Sequence, residues 1–419
     1  MAIKLLLPFT LLFLMQYEAF SQVVKYRCAT VEYAKNQVKK DGTLEKRQQE
    51  IKEKIQFFID HKDNNKTAVT YIIPVVVHLL YNTSIENISD AQIKSQIDVL
   101  NEDYGRENAD ASQTPGPFTA VAGIAPIHFC LVQADTNGKH ITGIIRKFTA
   151  KKEFDMNTED AKYTKLGGDD AWDSIAHLNI WVVPAIKSSG GSDVLGYTSF
   201  IGGAPELDGV VIRFDCFGRV GNVNSEYSRG RTTTHEVGHW LNLNHIWGDD
   251  SGACSGSDFV DDTPNQASED VGMPVFPKTD SCSPSYPGIM FMNYMDYTDD
   301  AGMNMFTKGQ VDRMVAAIEI YRPSLKTASC RSPEITEENV YPNPSKGLIY
   351  VDVFPKSYTT INITVYNLIG EVLSENYQET IVKGRYIMDL SELVNGFYFI
   401  NVQTDVQQPF TKKVILWEK

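Results

Sequence analysis

Beyond its first twenty residues the chain has no apolar run long enough to cross a bilayer, so no membrane-spanning helix is expected. Positive charge is scarce. Lys and Arg number 39 against 53 Asp and Glu, and the net charge of −14 argues against nucleic acid or an anionic membrane as partner. Cysteine is sparse, with six residues, all lying after the first 21 and compatible with an oxidising compartment. Histidine is rare as well, eight in 419 residues, so a place where it concentrates carries information. What the chain does have is enough apolar content (42%) for real cores, over a length that suggests two or three domains.

The N-terminus reads as a secretory signal. Lys4 supplies the positive charge, Leu5 to Met15 the apolar stretch, and Ala19-Phe20-Ser21 a small-x-small cleavage site before Gln22. No cysteine follows that site, so a lipid anchor is not expected.

Three of the eight histidines fall in one run of eleven residues, from His235 through Glu236 and His239 to His245. Residues four apart share one face of a helix about one turn apart, so His235 and His239 can both reach a single metal ion. Glu236 stands beside the first ligand, placed to hold and deprotonate a water on that metal. His245 follows six residues after His239, too far along to share the face. The helix must therefore end near Asn242 and the chain turn back. Three neutral imidazoles with one open position is the arrangement of a catalytic zinc, whereas a structural zinc is closed by four protein ligands. A competing zinc class takes its third ligand from a downstream Glu-x-x-x-Asp helix. Here Glu269 is followed four residues later by Met273, so His245 is kept.

The run resembles the metzincin metalloprotease signature, HExxHxxGxxH followed by a methionine turn. It departs at Asn242, where the signature has glycine. That position serves a left-handed turn, which Asn tolerates next best. About fifty residues beyond His245 stands Phe291-Met292-Asn293-Tyr294-Met295-Asp296-Tyr297-Thr298-Asp299-Asp300. With the stretch from His245 to Asp249, it is similar to the pappalysin family of metzincins in its bacterial secreted branch, from about Tyr71 to Tyr321. The resemblance implies an α+β metzincin-like catalytic domain with a mixed sheet and an active-site helix. It implies that Met295 forms an apolar floor under the zinc and that Tyr297 assists the oxyanion. It also implies a disulfide between Cys254 and Cys282; the two positions of a second bridge of the family are Met273 and Gly302 here. Calcium is a further implied ion, at Asp258, Asp261 and Thr263, although a solvated acidic turn reads the same way. Asp299 or Asp300 would line the pocket after the scissile bond and favour a basic residue there. Partners for Cys130, Cys216 and Cys330 do not follow from the sequence.

Residues 22–68 are rich in Lys, Glu and Gln, with a helical run from Leu44 to Asp60 and no evident core of their own. They read as a propeptide, with a linker or helical arm as the alternative. Cys28 lies there beside Arg27. Its thiolate would close the open zinc position, which resembles the cysteine-switch latency of some metzincins; a structural disulfide is the alternative. The catalytic domain is expected over residues 69–330. A buried strand covers Ile72 to Leu80, and a capping box, Ser89 to Gln92, opens a helix with Ile93, Ile97, Leu100 and Tyr104 inward. Strands follow over 127–133, 178–183 and 210–214, then the active-site helix from Thr233 to Leu241. A last helix from Thr307 turns Val311, Met314, Val315 and Ile318 inward. His61, His78, His128, His140 and His177 have no ligand spacing and read as structural.

A linker is expected over 331–338, and residues 339–419 change character. Short alternating runs (349–353, 361–366, 386–390, 396–403 and 411–416) predict a small all-β sandwich. Tyr341-Pro342-Asn343-Pro344, Gly396-Phe397-Tyr398 and the pair Lys412-Lys413 resemble the C-terminal sorting domain of type IX secretion substrates; an adhesive or carbohydrate-binding module is the alternative. The resulting expectation is a secreted zinc endopeptidase, made latent and exported through the periplasm and across the outer membrane. It would act on protein or peptide substrates and engage the type IX machinery through its C-terminal domain. The alternative is an inactive protease-like adhesin at the cell surface.

Overall fold

In the computed structural model, which describes residues 26–62, 69–133, 141–326, 335–355, 359–381, 384–404 and 410–417, the chain opens with a short strand, β1 (Tyr26–Cys28). Two helices follow, α1 (Thr30–Lys40) and α2 (Leu44–Asp60). The expected signal sequence, His140 and Cys330 lie outside the described residues. Helix α2 has few apolar residues, but Ile51 and Ile55 stand four apart and are buried together with Ile201, Ala316 and Ala317 of the body. The segment expected to lack a core therefore borrows one.

The body is a nine-stranded mixed sheet. Its longest strand, β2 (Tyr71–Tyr81), is a near-continuous apolar run buried on both faces, the pattern of a parallel strand covered on each side. It pairs in parallel with β3 (Ile127–Leu131), β4 (Ile144–Phe148) and β6 (Leu178–Val183). The sheet continues from β6 to β9 (Val210–Arg213), which is parallel to it, and then to β8 (Asp193–Thr198), which is antiparallel to β9. Beyond β8 lie β7 (Ile186–Lys187) and β5 (Phe154–Asp155), and β1 pairs in parallel with the same edge of the sheet at β8. Helix α3 (Asp90–Tyr104) packs Ile93, Ile97, Leu100 and Tyr104 into the main core, as its spacing predicts. Its capping box is half made. Ser89 accepts from the Gln92 amide, but the Gln92 side chain reaches instead to the carbonyls of Phe214, Phe217 and Asn222. After the short α4 (Gly116–Thr119) come α5 (Arg231–Trp240) and α6 (Lys308–Tyr321). Helix α6 opens with a complete capping box between Thr307 and Gln310. Met314 and Ile318 sit in the core, with Val311 and Val315 at its margin.

The C-terminal part is two antiparallel sheets around a core of its own. One is β10 (Ile335–Tyr341), β11 (Leu348–Pro355) and β14 (Gly384–Asp389); the other is β13 (Val372–Ile381), β12 (Thr359–Tyr366), β15 (Gly396–Thr404) and β16 (Phe410–Leu416). Ile361, Ile363 and Val365 alternate inward to meet Ile349, Val351 and Ile400. Two strands go beyond the expectation. β10 begins inside the stretch read as linker, and β13 runs through a polar segment. No helix among the described residues is long and apolar enough to cross a membrane.

Candidate active site

Helix α5 is buried along its whole length, so its polar side chains must find partners inside the protein. It starts at Arg231, whose guanidinium bridges Asp110 at 2.6 and 2.7 Å and donates to the carbonyls of Asp300 and Met303. It ends at Trp240, one residue before the expected end. Asn242 then takes a positive φ of 72°, the left-handed turn predicted for that position. Arg313 of α6 clamps this turn, donating to the Asn242 carbonyl at 2.7 Å and to its side-chain oxygen at 2.8 Å. The turn delivers His245 back to the helix face.

The three imidazoles meet edge to edge. His239 Nε2 lies 3.1 Å from His235 Nε2 and 3.1 Å from His245 Nε2. Their opposite nitrogens are all engaged: His235 Nδ1 on the Tyr294 carbonyl at 2.7 Å, His239 Nδ1 on the Leu243 carbonyl at 2.8 Å, and His245 Nδ1 on the Asp249 carboxylate at 2.8 Å. Carbonyls and a carboxylate only accept, so each Nδ1 carries a proton, and in the neutral ring Nε2 is the nitrogen that offers a lone pair. Burial, then the neighbouring imidazoles, press the pKa values of His235 and His239 well below the usual histidine range, which keeps them neutral. Three lone pairs converging in a dry site repel one another unless a cation lies between them. This donor set fits a zinc ion, whose bonds to imidazole nitrogen are about 2.0–2.1 Å.

A fourth donor comes from the N-terminal segment. Cys28 is buried and unbridged, and its Sγ and the three histidine nitrogens lie within 4.8 Å of one another. This is the sole such group among the described residues. Strand β1 carries it in along β8, with Cys28 opposite Gly196. Glu236 is fully buried; one oxygen accepts from the Thr30 hydroxyl at 2.7 Å and the other has no partner. Burial raises its pKa to about 7. Gly196 leaves the room for it, since a Cβ there would stand 2.9 Å from Glu236 Cγ. The Tyr297 hydroxyl donates to the Cys28 carbonyl at 3.1 Å, and its ring stands edge-on to His235 and His245. Met295 lies under Gly238, so that a Cβ at Gly238 would meet its sulfur at 2.6 Å.

The two candidate pocket residues separate. Asp300 is buried and pairs with Arg27 at 2.8 Å, while Arg27 also donates to the Thr298 carbonyl at 2.6 Å and lies over the Tyr227 ring. Asp299 is half-buried and makes no such contact; its amide is bonded to Gly272. Cys254 and Cys282 are bridged, Cys130 is also disulfide-bonded, and Cys216 is free and buried. Met273 lies beside Gly302, its sulfur 3.5 Å from where a Cβ on Gly302 would be. Two of the three expected calcium ligands, Asp258 and Thr263, meet in a hydrogen bond of 2.7 Å. Asp258 accepts from Thr263 and Val260, and burial lifts its pKa to about 7. Asp261 is exposed, and the neighbouring Asp262 accepts from Gly309. His78 is a core residue between Asp169 and Asn179, and His61, His128 and His177 lie far from the site in role, on the surface.

Arg231, Arg313 and Thr30 have no signature of their own in the sequence and were not among the expected site residues. Asp249 could have been found, because it stands four residues after His245 on the approach to that ring.

Comparison with known proteins matches residues 162–319 to the family described as pregnancy-associated plasma protein-A and residues 339–417 to a secretion system C-terminal sorting domain. An extracellular metalloprotease of Arthroderma otae is 30% identical over 257 residues, covering 60% of this chain and 78% of that protein. One from Pyricularia oryzae is 31% identical over 269 residues, covering 61% and 76%. Among solved structures, mature mirolysin of Tannerella forsythia in complex with a cleaved peptide is 51% identical, with a TM-score of 0.59, covering 62% of this chain and 97% of that one. A promirolysin mutant is 45% identical, with a TM-score of 0.64, covering 72% and 97%.

Proposed function

The chain belongs to the pregnancy-associated plasma protein-A family of metalloproteases, and on that premise we propose the details of how it works as a secreted endopeptidase made in precursor form. The metal is zinc, on His235, His239 and His245. The observation that carries this is the convergence of three Nε2 atoms whose opposite nitrogens are all engaged. Zinc bound there would polarise the scissile carbonyl and bring the pKa of a water to about neutral.

The chain's own groups do the rest. Glu236 takes the proton of the attacking water and returns it to the leaving amine, and its carboxylate becomes available when Thr30 leaves it. Tyr297, freed from the Cys28 carbonyl, donates to the substrate oxygen as that oxygen gains charge. Asp300 receives a basic side chain following the scissile bond, as it now receives Arg27. Met295 supports the floor below the histidines.

Residues 22–68 form the propeptide, with Cys28 as the removable fourth ligand, Thr30 occupying Glu236, and Arg27 filling the specificity pocket. Residues 1–21 are the signal peptide and 69–330 the catalytic domain. The chain then leads into the sorting domain, read over 339–419, whose first strand, β10, already begins at Ile335. That domain directs the protein from the periplasm through the type IX machinery, in keeping with the sorting-domain match. Asp258, Asp261 and Thr263 are the residues that would hold a calcium ion, beside an Asp262 oxygen that is buried without a hydrogen-bond partner. An inactive adhesin would have no need of a buried carboxylate beside three convergent imidazoles.

The test is cleavage of two peptides that differ only in Arg or Leu after the scissile bond, by the processed enzyme. The Arg peptide is expected to be cut, to resist cutting in the presence of a chelator, and to recover with added zinc. Asp300→Asn is expected to lower the preference for Arg by at least about tenfold, the scale of one charged hydrogen bond. Chelator-insensitive cleavage would remove the metal from the mechanism.

A further inference from the structure

Resting on the reading of residues 22–68 as propeptide, we infer that the buried pocket holding Tyr33 is a substrate subsite for a phenolic side chain, built from Glu159, Lys162 and Tyr197. Tyr33 is 2% exposed, more deeply buried than a latency segment needs if Cys28 and Arg27 alone held it. Its hydroxyl donates to Glu159 Oε2 at 3.0 Å, and Lys162 Nζ donates to it at 3.4 Å. Its ring lies 5.0 Å from that of Tyr197, with the Lys162 ammonium 4.9 Å from the ring centroid. The same ammonium lies over Tyr197 and Trp181, so the cation sits among three aromatic faces.

The body supplies both charged groups from one tight turn. Glu159 has a φ of 57°, a left-handed conformation that a glutamate seldom adopts, and both Glu159 and Lys162 are almost fully buried. When the propeptide leaves, Glu159 loses the Tyr33 hydroxyl, the Gln37 amide and the Lys40 ammonium, and Lys162 keeps the Leu207 carbonyl and the Glu159 carboxylate. A buried pair in that condition gains from an incoming O–H that bridges it.

The geometry also gives the subsite its place in a substrate. Arg27 fills the pocket for the residue after the scissile bond, and the chain from Cys28 to Tyr33 leads away from it. A substrate with its basic residue on Asp300 therefore lays the residues before its scissile bond along the path of Ala29 to Tyr33. Tyr33 lies in the first turn of α1, where each residue advances about 1.5 Å. An extended substrate, at about 3.3 Å per residue, covers the same ground in about three residues.

The experiment uses the processed enzyme and a peptide set with Arg after the scissile bond and Tyr, Phe or Ala placed second, third or fourth before it. One position is expected to favour Tyr over Ala by at least about tenfold in kcat/KM, with Phe between them because it keeps the ring and loses the hydroxyl. Lys162→Met and Glu159→Gln are each expected to bring that ratio close to one. Equal kcat/KM for Tyr and Ala at all three positions in the wild-type enzyme would overturn the inference and leave the endopeptidase reading standing. Failure to cut any of the peptides would remove that reading, and the inference with it.

Discussion

Glu236 is the residue proposed as the general base. Its carboxylate is fully buried, with one oxygen on Thr30 and the other without a partner. Glu236→Ala removes this group and leaves all three imidazoles and their Nδ1 partners in place. Metal content and fold are expected to persist while kcat/KM falls by at least about 10²–10⁴, the usual scale of general acid–base catalysis; near-normal turnover would exclude Glu236 from the mechanism. Other single residues matter through space. Gly238 has no room for a methyl group above Met295. Asn242 stands where the family motif has glycine, and it does two things glycine does not do together. It takes the left-handed turn and it offers a side-chain oxygen to Arg313. The ligand spacing, Glu236 and the turn at Asn242 were legible because they depend on local geometry. Arg27 in the Asp300 pocket joins residues 273 positions apart, and nothing in the local sequence announces that pairing.

At the scale of elements, α5 carries His235 and His239, and α6 holds the turn that leads to His245. Arg313 is fully buried, burial lowers its pKa to about 10, and its hydrogen bonds to Asn242 cross from α6 to the turn that delivers His245. Arg313→Met keeps much of the side chain's volume and leaves two buried acceptors unpaired, at a cost of about 2–3 kcal/mol. The catalytic part is expected to melt about 5–10 °C lower, and the folded variant to lose zinc to a competing chelator at least about tenfold more readily. A lower Tm with unchanged metal retention would make Arg313 a packing residue only. The elements themselves were read well where apolar spacing was strong, as in β2, α3 and α6. Strands β10 and β13 were missed because they are polar edge strands, with glutamates where a core strand would have valine. The half-made capping box at Ser89 failed for a tertiary reason, since Gln92 serves three carbonyls of a neighbouring loop.

For the whole molecule, the chain divides into parts that bury their apolar residues differently. The C-terminal strands close on a core of their own, which contains none of the histidines or methionine-turn residues. A chain ending at residue 331 is therefore expected to fold and to keep its specific activity on short peptides within about twofold; in its host it is expected to remain in the periplasm. Equal export of the two forms would deny the sorting role. The N-terminal segment is the opposite case. Its apolar residues are too few to form a core alone, which is why the sequence read as coreless. In the structure they complete clusters that include Ile201, Ala316 and Tyr197. In the proposed latency, one segment engages Asp300, the three histidines and Glu236 together. X-ray absorption at the zinc edge, on the zinc-loaded precursor and on the processed enzyme, tests this most directly. The account expects one sulfur at about 2.3 Å and three nitrogens at about 2.0–2.1 Å in the precursor, with the sulfur gone after processing. A precursor without a zinc–sulfur bond, or a sulfur that survives removal of the propeptide, would contradict it.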